Sequence, residues 1–245
     1  MQLVVALSPN NMIGDKDGNL LYHDKEDMKL FKEWTTGTAV LVGRRTADTF
    51  KNGILKDRYN LVYSTKINNE VYDGIPEMNK RIYVTKSSLD DLLYELALNG
   101  KTVSLIGGAL TYRRFAYMCN LALVNRFYEM PTISDNKRLI KFNEDNLNHL
   151  TLVNVIEHEN FQTEVYINYE RLYGYIFKLF TGERLRTPYK SDVYEDTWIL
   201  SLLRRIISDD PLFDSKMLKE FKENLPQHVP EHLAKHYNIS HPVKL

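Results

Sequence analysis

The stretch Lys101–Met118, KTVSLIGGALTYRRFAYM, changes character in its middle. Its first part, KTVSLIG, is an apolar run without polar alternation, the pattern of a strand buried on both faces. Its second part, ALTYRRFAYM, reads as a helix. Gly107 and Gly108 lie between them, ending the strand and opening the helix. Val40–Thr46, VLVGRRT, follows the same grammar: a buried strand from TAVLVG, then Gly43, then the short helix RRTADTF.

Working outward, strands and helices alternate. QLVVAL at residues 2–7 is a first buried strand, and SPNNMIGDKDGN at 8–19 reads as loop, punctuated by Gly14 and Gly18. RYNLVYS (58–64), KRIYVT (80–85) and LALVNRFYEM (121–130) read as further strands. SLDDLLYELALNG (88–100) is a helix with Ser88 as cap and Gly100 as stop. LTLVNVIEH (150–158) and FQTEVYINYE (161–170) form a terminal antiparallel hairpin. The expected fold class is α/β, a doubly wound, mostly parallel sheet with an antiparallel C-terminal hairpin and ligands at the carboxyl ends of its strands.

After about Glu170 the strand signal stops. RLYGYIFKLF, VYEDTWILSLLRRIISDD, DSKMLKEFKENL and EHLAKHYN all read as helices. Tyr194, Trp198, Leu202 and Ile206 recur at four-residue spacing. The expected division is residues 1–170 as the sheet domain and 171–245 as a small all-helical extension. The extension is too small to bury a large core alone, so it is expected to pack on the sheet domain or on a partner.

Composition excludes several classes. The 245 residues are 43% hydrophobic, enough for a sizeable core, and carry a formal net charge of +0, which gives no bulk attraction to nucleic acid or acidic membranes. A single cysteine, Cys119, rules out an intrachain disulfide and fits a reducing, cytoplasmic setting. No run approaches the roughly 18 apolar residues of a membrane helix. The N-terminus reads as a strand and not as a signal peptide. His228, His232, His236 and His241 do not make a convincing metal set, because no acidic or thiol ligand completes one.

Three features carry chemistry. Gly43 with Arg44 and Arg45, and Gly107 with Gly108, mark two strand-to-helix junctions where a diphosphate could meet backbone N–H groups. Taken singly, each also reads as a tight turn or a solvated basic face, and neither matches a G-x-G-x-x-G or P-loop pattern. The third feature is HDKEDMKLFKEW, His23–Trp34, an amphipathic helix with Met28, Phe31 and Trp34 on one face. Asp27 shares that face, four residues before Phe31 and seven before Trp34. With Asp24 as cap, Asp27 could simply complement the helix dipole. Buried instead, it would need a hydrogen-bonding partner, and a flat ligand with adjacent N–H and amino groups could serve.

These pieces in this order, VVAL, NNMIG, DKEDMKLFK, VLVGRRT, Arg58 ahead of NLVYST, and SLIGGALTY, resemble dihydrofolate reductase over about residues 1–170. The resemblance implies NADPH as cofactor and dihydrofolate as substrate. Asp27 would be the acidic residue of the pterin pocket, binding the pterin amino groups and promoting protonation of the ring nitrogen. Val4, Val5, Met28, Phe31, Phe50 and Leu55 would line the substrate pocket. Arg58 would pair with the glutamate α-carboxylate, and Ile106 would lend a backbone carbonyl. Gly107 and Gly108 would be joined by a cis peptide. Gly43, Arg44, Arg45 and Thr46, with Gly107, Gly108, Ala109 and Leu110, would hold the diphosphate side of the cofactor. Ser64, Thr65 and Lys66, with Arg44 and Arg45, would surround its 2′-phosphate. Ala6, Ile13 and Gly14 would border the nicotinamide, with Tyr112 near nicotinamide and pterin.

The sequence departs from the family pattern at four places. Leu21-Tyr22 replaces a usual Pro-Trp, where Tyr22, a candidate catalytic residue, would keep an aromatic wall and offer a hydroxyl to an ordered water. Asn125 replaces a threonine that bonds the acid. The loop Gly14–Leu21 carries one extra residue, and PTISDNKRLIKF matches nothing clearly. Two other readings stand beside this one: a riboflavin-pathway pyrimidine reductase of the same fold, and a catalytically weak reductase-like binding or assembly protein. The extension is expected to cap the body, self-associate or dock a partner. It is too short for a fused thymidylate synthase and holds no Cys.

Overall fold

The computed structural model describes residues 1–65, 74–132, 138–181, 190–208 and 210–223, without the side chains of 177–181 and 190–193. Eight strands form one sheet. In chain order they are β1 (Gln2–Leu7), β3 (Ala39–Gly43), β4 (Tyr59–Tyr63), β5 (Arg81–Val84), β6 (Val103–Gly107), β7 (Leu121–Phe127), β9 (Thr151–Glu157) and β10 (Phe161–Ile167). Their spatial order is β5-β4-β3-β6-β1-β7-β10-β9. The first six run parallel, and β10 and β9 close the edge antiparallel. The chain leaves β1, builds outward from β3 to β5, and returns as β6 between β3 and β1. That reversal places the carboxyl ends of β1, β3 and β6 around one crevice, where an open α/β sheet binds its ligands.

The central strands are apolar on both faces because helices cover both. Leu3, Leu7, Val40, Leu41, Leu61 and Leu105 are fully buried. The helices are α1 (Lys25–Thr35), α2 (Arg44–Ala47), α3 (Lys86–Leu98), α4 (Ala109–Phe115), α5 (Tyr169–Thr181), α6 (Lys190–Ile207) and α7 (Lys216–Glu223). Leu89, Leu92, Leu93 and Leu96 of α3 pack into the core that contains β1, β3 and β6.

Three local readings need correction. The segment 8–19 is not all loop. Met12–Asp15 forms β2, which pairs antiparallel with β8 (Leu139–Lys141) in a separate two-stranded sheet. Strand β8 is the LIK of the unmatched stretch PTISDNKRLIKF. Helix α3 begins two residues before Ser88: Thr85 caps it, and Ser88 closes a capping box from the third helical position. Its stop is as expected, with Gly100 at φ +64. The helix read over EHLAKHYN and the four C-terminal histidines lie outside the described residues.

The extension packs on the sheet. Tyr194 and Trp198 of α6 join the core beside α3. Ile199, Leu202, Leu203 and Ile206 face a second core with Leu172 and Ile176 of α5, Leu218 and Phe221 of α7, and Leu121, Leu123, Val165 and Ile167 of the sheet. Trp34 of α1 packs against this second core.

Candidate active site

Asp27 sits in the first turn of α1, and its position follows from the capping chemistry. Asp24 is the N-cap, and its carboxylate accepts from the backbone N–H groups of Glu26 and Asp27. Asn160, in the turn between β9 and β10, donates to the other oxygen of Asp24 at 2.9 Å. The helix start is thereby held against the sheet edge, and Asp27 turns inward to 8% exposure. Asn125 Nδ2, from β7, donates to Asp27 Oδ1 at 2.7 Å. Among the described residues Oδ2 has no protein partner. Burial pushes the Asp27 carboxyl above its ordinary range, the Asn125 bond opposes that, and the nearby Asp24 charge adds to it.

Not all of the expected apolar face is buried with it. Met28 is 47% exposed, so Asp27 is not enclosed by Met28, Phe31 and Trp34 together. Phe31 and Trp34 are half-buried. A buried carboxylate beside an exposed methionine leaves Asp27 near the protein surface and not inside a closed core.

The remaining expected substrate positions are partly committed to internal contacts. Arg58 is buried, and its guanidinium donates to Thr35 Oγ1, Lys32 O and Lys56 O. Four such contacts engage most of its five N–H donors. Leu55 is held by a two-way clamp, its N–H donating to Asn60 Oδ1 at 2.7 Å and its carbonyl accepting from Asn60 Nδ2 at 2.9 Å. Phe50 packs with Ile106 on a small cluster around Val42, Ala47 and Val62. Tyr112 is buried, and its hydroxyl donates to the Val4 carbonyl at 2.8 Å. Val4 and Val5 are buried in β1, and Ala6 is half-buried at its carboxyl end.

Tyr22 stacks flat on Phe127, with ring centroids 3.7 Å apart. This keeps an aromatic wall beside the entrance. Its hydroxyl donates to the Glu129 carbonyl at 2.8 Å, so its proton is engaged. Burial pushes its pKa up to about 12, so it stays a neutral phenol near pH 7. The loop after β2 is organised by Asp15, which accepts from Asp17 N, Asn19 N and Asn19 Nδ2. Gly18 in that loop lies against Thr49: a Cβ there would come within 2.5 Å of the Thr49 methyl. The loop therefore spans from Ile13 and Gly14 to the segment after α2.

The two glycine junctions meet. A Cβ on Gly43 would lie 2.6 Å from Thr111 Oγ1, and one on Gly108 would lie 2.9 Å from Thr46 Oγ1. Each glycine thus receives the threonine of the opposite helix. The Gly107–Gly108 peptide is cis. Ala109 opens α4, and Leu110 beside it is 68% exposed. Arg44 is exposed and paired with Asp48 at 3.2 Å, and Arg45 is exposed. Further along the carboxyl edge, Ser64 and Thr65 line a cleft of about 510 Å³. Thr85, Lys86 and Arg114 line it too, and the sequence reading did not single them out. The available signal was the Thr-Lys-Ser-Ser run directly after β5. Lys66 lies outside the described residues.

A family model for dihydrofolate reductase matches residues 1–149. The chain belongs to the dihydrofolate reductase family. Helices α5 to α7 lie beyond that match. Dihydrofolate reductase HdrB of Haloferax volcanii is 30% identical over 118 residues, covering 46% of this chain and 57% of the relative. The chain therefore spans little more than half of that relative. Dihydrofolate reductase type 8 of Escherichia coli is 28% identical over 150 residues, covering 60% of this chain and 86% of the relative. A solved dihydrofolate reductase from Enterococcus faecalis, complexed with NADP(H), is 19% identical with a TM-score of 0.49 and covers 68% of this chain and 94% of that one. In the family's terms, the structure brings Asp27 and Asn125 together directly. It sets the Gly43 and Gly107–Gly108 junctions side by side. Among the described residues no helix is long and apolar enough to cross a membrane.

Proposed function

We propose that this chain reduces 7,8-dihydrofolate to 5,6,7,8-tetrahydrofolate with NADPH. The observation that carries the reading is Asp27, an inward carboxylate with one oxygen bonded to Asn125 and the other without a protein partner. A pterin presents an amino group and a ring N–H side by side, and a carboxylate accepts such a pair as it accepts an arginine fork. Binding a cationic, protonated pterin is favoured by a fixed negative charge, so Asp27 promotes protonation of the ring nitrogen next to the carbon that accepts hydride. Its pKa, raised by burial, suits a group that takes part in proton chemistry.

The residues present fit NADPH. Gly43 and Gly108 let the Thr111 and Thr46 hydroxyls approach their backbone, which draws the starts of α2 and α4 together where a diphosphate would meet their N–H groups. Ser64, Thr65, Lys86 and Arg114 offer hydroxyls and positive charge in one cleft, suited to a further phosphate. When bound, NADPH supplies the hydride. Phe31, Phe50 and Leu55 would hold the flat rings, and Tyr22 on Phe127 would wall the entrance. Arg58 would offer its remaining N–H to the glutamate carboxylate.

The test is NADPH oxidation with dihydrofolate by the intact chain and by Asp27→Asn. The expected result is turnover that falls by about 10²- to 10⁴-fold in the variant at neutral pH. Part of it should return at low pH, where substrate arrives protonated. Methotrexate should inhibit the intact chain. No turnover by the folded chain would overturn the reading. Turnover of a ribosylaminopyrimidine in its place would move the assignment to the riboflavin-type reductase.

A further inference from the structure

Asp27 is the inner end of a chain of hydrogen bonds that leads to the protein surface. Asn125 Nδ2 donates to Asp27 Oδ1 at 2.7 Å. Thr163 Oγ1, from β10, donates to Asn125 Oδ1 at 2.7 Å. His158 Nε2 lies 2.9 Å from Thr163 Oγ1, and His158 Nδ1 lies 3.1 Å from Glu26 Oε1. Asn125 and Thr163 are buried, whereas the His158 side chain keeps 12% exposure and Glu26 51%. The sequence reading singled out Asp27 and Asn125 but not the other three.

The polarity of this chain is tied to charge. An ionised Asp27 only accepts, so Asn125 must turn its amino group toward it and its carbonyl toward Thr163. Thr163 then spends its proton on that carbonyl and accepts from His158 Nε2–H. Glu26 also only accepts, so His158 Nδ1 must carry a proton as well. Every contact is satisfied when His158 is an imidazolium. A second arrangement is equally self-consistent. A protonated Asp27 donates to the Asn125 carbonyl after the amide turns over, the amino group donates to Thr163, and Thr163 donates to a neutral His158 whose Nδ1–H still serves Glu26. With both protons gone, an acceptor faces an acceptor at Glu26 or at Thr163. With Asp27 protonated on Oδ2, Oδ1 still accepts from Asn125, and His158 is satisfied charged or neutral. An ionised Asp27 therefore favours a charged His158, and a neutral His158 favours the protonated acid.

We propose that His158 is a positioning residue for the proton chemistry of Asp27, coupled to it through Thr163 and Asn125. This rests on the reading of Asp27 as the group that promotes substrate protonation. A proton on His158 favours the Asp27 carboxylate that grips the pterin. Its loss favours the neutral acid. Other groups face this pair. Glu26 and Asp24 approach His158 from α1, Glu157 and Glu159 flank it in the turn, and the Tyr128 hydroxyl lies 3.5 Å from its backbone carbonyl. Phe161 stacks on its ring. Asp24 acts on Asp27 directly.

The experiment follows the Asp27 carboxyl carbon and the His158 ring nitrogens by NMR across pH in the full chain, with Asp27→Asn to assign the signal. Two variants, Thr163→Val and His158→Gln, accompany the wild type, and circular dichroism checks their folding. In the wild type each group's curve should show an inflection at the other's midpoint, as interacting sites do. Thr163→Val should remove both inflections and raise the Asp27 midpoint, because the Asn125 bond that holds it down loses its support. His158→Gln should raise the Asp27 midpoint in the wild type and add nothing in the Thr163→Val background. The falling limb of the dihydrofolate rate should move to higher pH in both variants, and the rate at the acid plateau should change by no more than roughly five- to tenfold. Independent curves in the wild type, or a midpoint that His158→Gln moves and Thr163→Val does not, would overturn the coupling. Coupled curves in a folded wild type that turns over no dihydrofolate would uphold the coupling and overturn the functional reading.

Discussion

Asp24 and Asp27 are three residues apart in one helix start, and their surroundings push them in opposite directions. The backbone N–H of Asp27, with further bonds from Asn160 and Glu26, holds Asp24 below the usual carboxylate range, against the opposing effect of burial. Burial raises Asp27. Such a pair separates roles: Asp24 is a charged cap, and on the proposed reading Asp27 is the group that exchanges a proton. The stability consequence has a definite sign. A carboxyl whose pKa is higher in the folded than in the unfolded chain binds protons more tightly when folded, so its contribution is fully present below the unfolded pKa. It is lost as pH rises through the folded value. At pH 7 the ionised Asp27 is thus a burden on the fold. Asp27→Asn keeps an acceptor for Asn125 and removes the charge. The expected outcome is a melting temperature a few degrees higher at pH 7, with gains at functional sites commonly about 0.5–2 kcal/mol. The gain should shrink toward pH 3, and scanning calorimetry at the two pH values checks it. The inward turn of Asp27 was legible from its spacing to Phe31 and Trp34. Its partner Asn125, and the Thr163 bonded behind it, come from strands about a hundred residues and more away, and only the β7–β10 register brings the two together.

At the scale of elements, the two glycine junctions were legible as strand-to-helix turns but not as a pair. What sequence does not carry is that β3 and β6 lie side by side, so that Gly43 meets Thr111 and Gly108 meets Thr46. This packing sets the separation of α2 and α4. Gly43→Ala places a methyl 2.6 Å from the buried Thr111 hydroxyl, and one of the two helices must yield. The expected cost is about 1–3 kcal/mol in urea unfolding, as for other overpacked sites. Thr111→Ala removes the atom that is struck, so the double variant should recover much of the loss. A double-mutant cycle reads the coupling directly, and simple additivity would show that the two junctions do not bear on each other. On the proposed reading, NADPH affinity should fall in Gly43→Ala as the starts of α2 and α4 are pushed apart, and recover with stability in the double variant. The missed elements, β2 and β8, have four and three residues. So short a pair shows no periodicity, and its existence depends on Asn11 and Phe142 meeting across the loop.

At the scale of the whole molecule, the open matter is how the helices after Ile167 relate to the sheet. The four-residue spacing in α6 predicted an apolar row, and the row exists. Its division between two cores could not be read from spacing, because it depends on where α6 crosses the sheet. Tyr194 and Trp198 fill the core beside α3, while Ile199, Leu202 and Ile206 fill the other. We read the segment as a cap that folds with the body, since the sheet residues Leu121, Leu123, Val165 and Ile167 have their burial from it. The chain's two tryptophans test this without a label. Trp34 on α1 and Trp198 on α6 line one cavity of about 200 Å³ between body and extension. Trp198 is 4% exposed, and its indole N–H lies 3.4 Å from the Lys101 carbonyl. Trp198→Ala should cost about 3–5 kcal/mol, which lowers the melting temperature by on the order of 10 °C in a chain of this size. If the cap folds with the body, helix signal and Trp34 fluorescence will be lost together at that lower temperature, and with them the proposed dihydrofolate turnover. A separately folding unit would behave otherwise. The variant would lose part of its helix signal early, while turnover and the Trp34 transition stayed at the wild-type midpoint, and the cap reading would then be wrong.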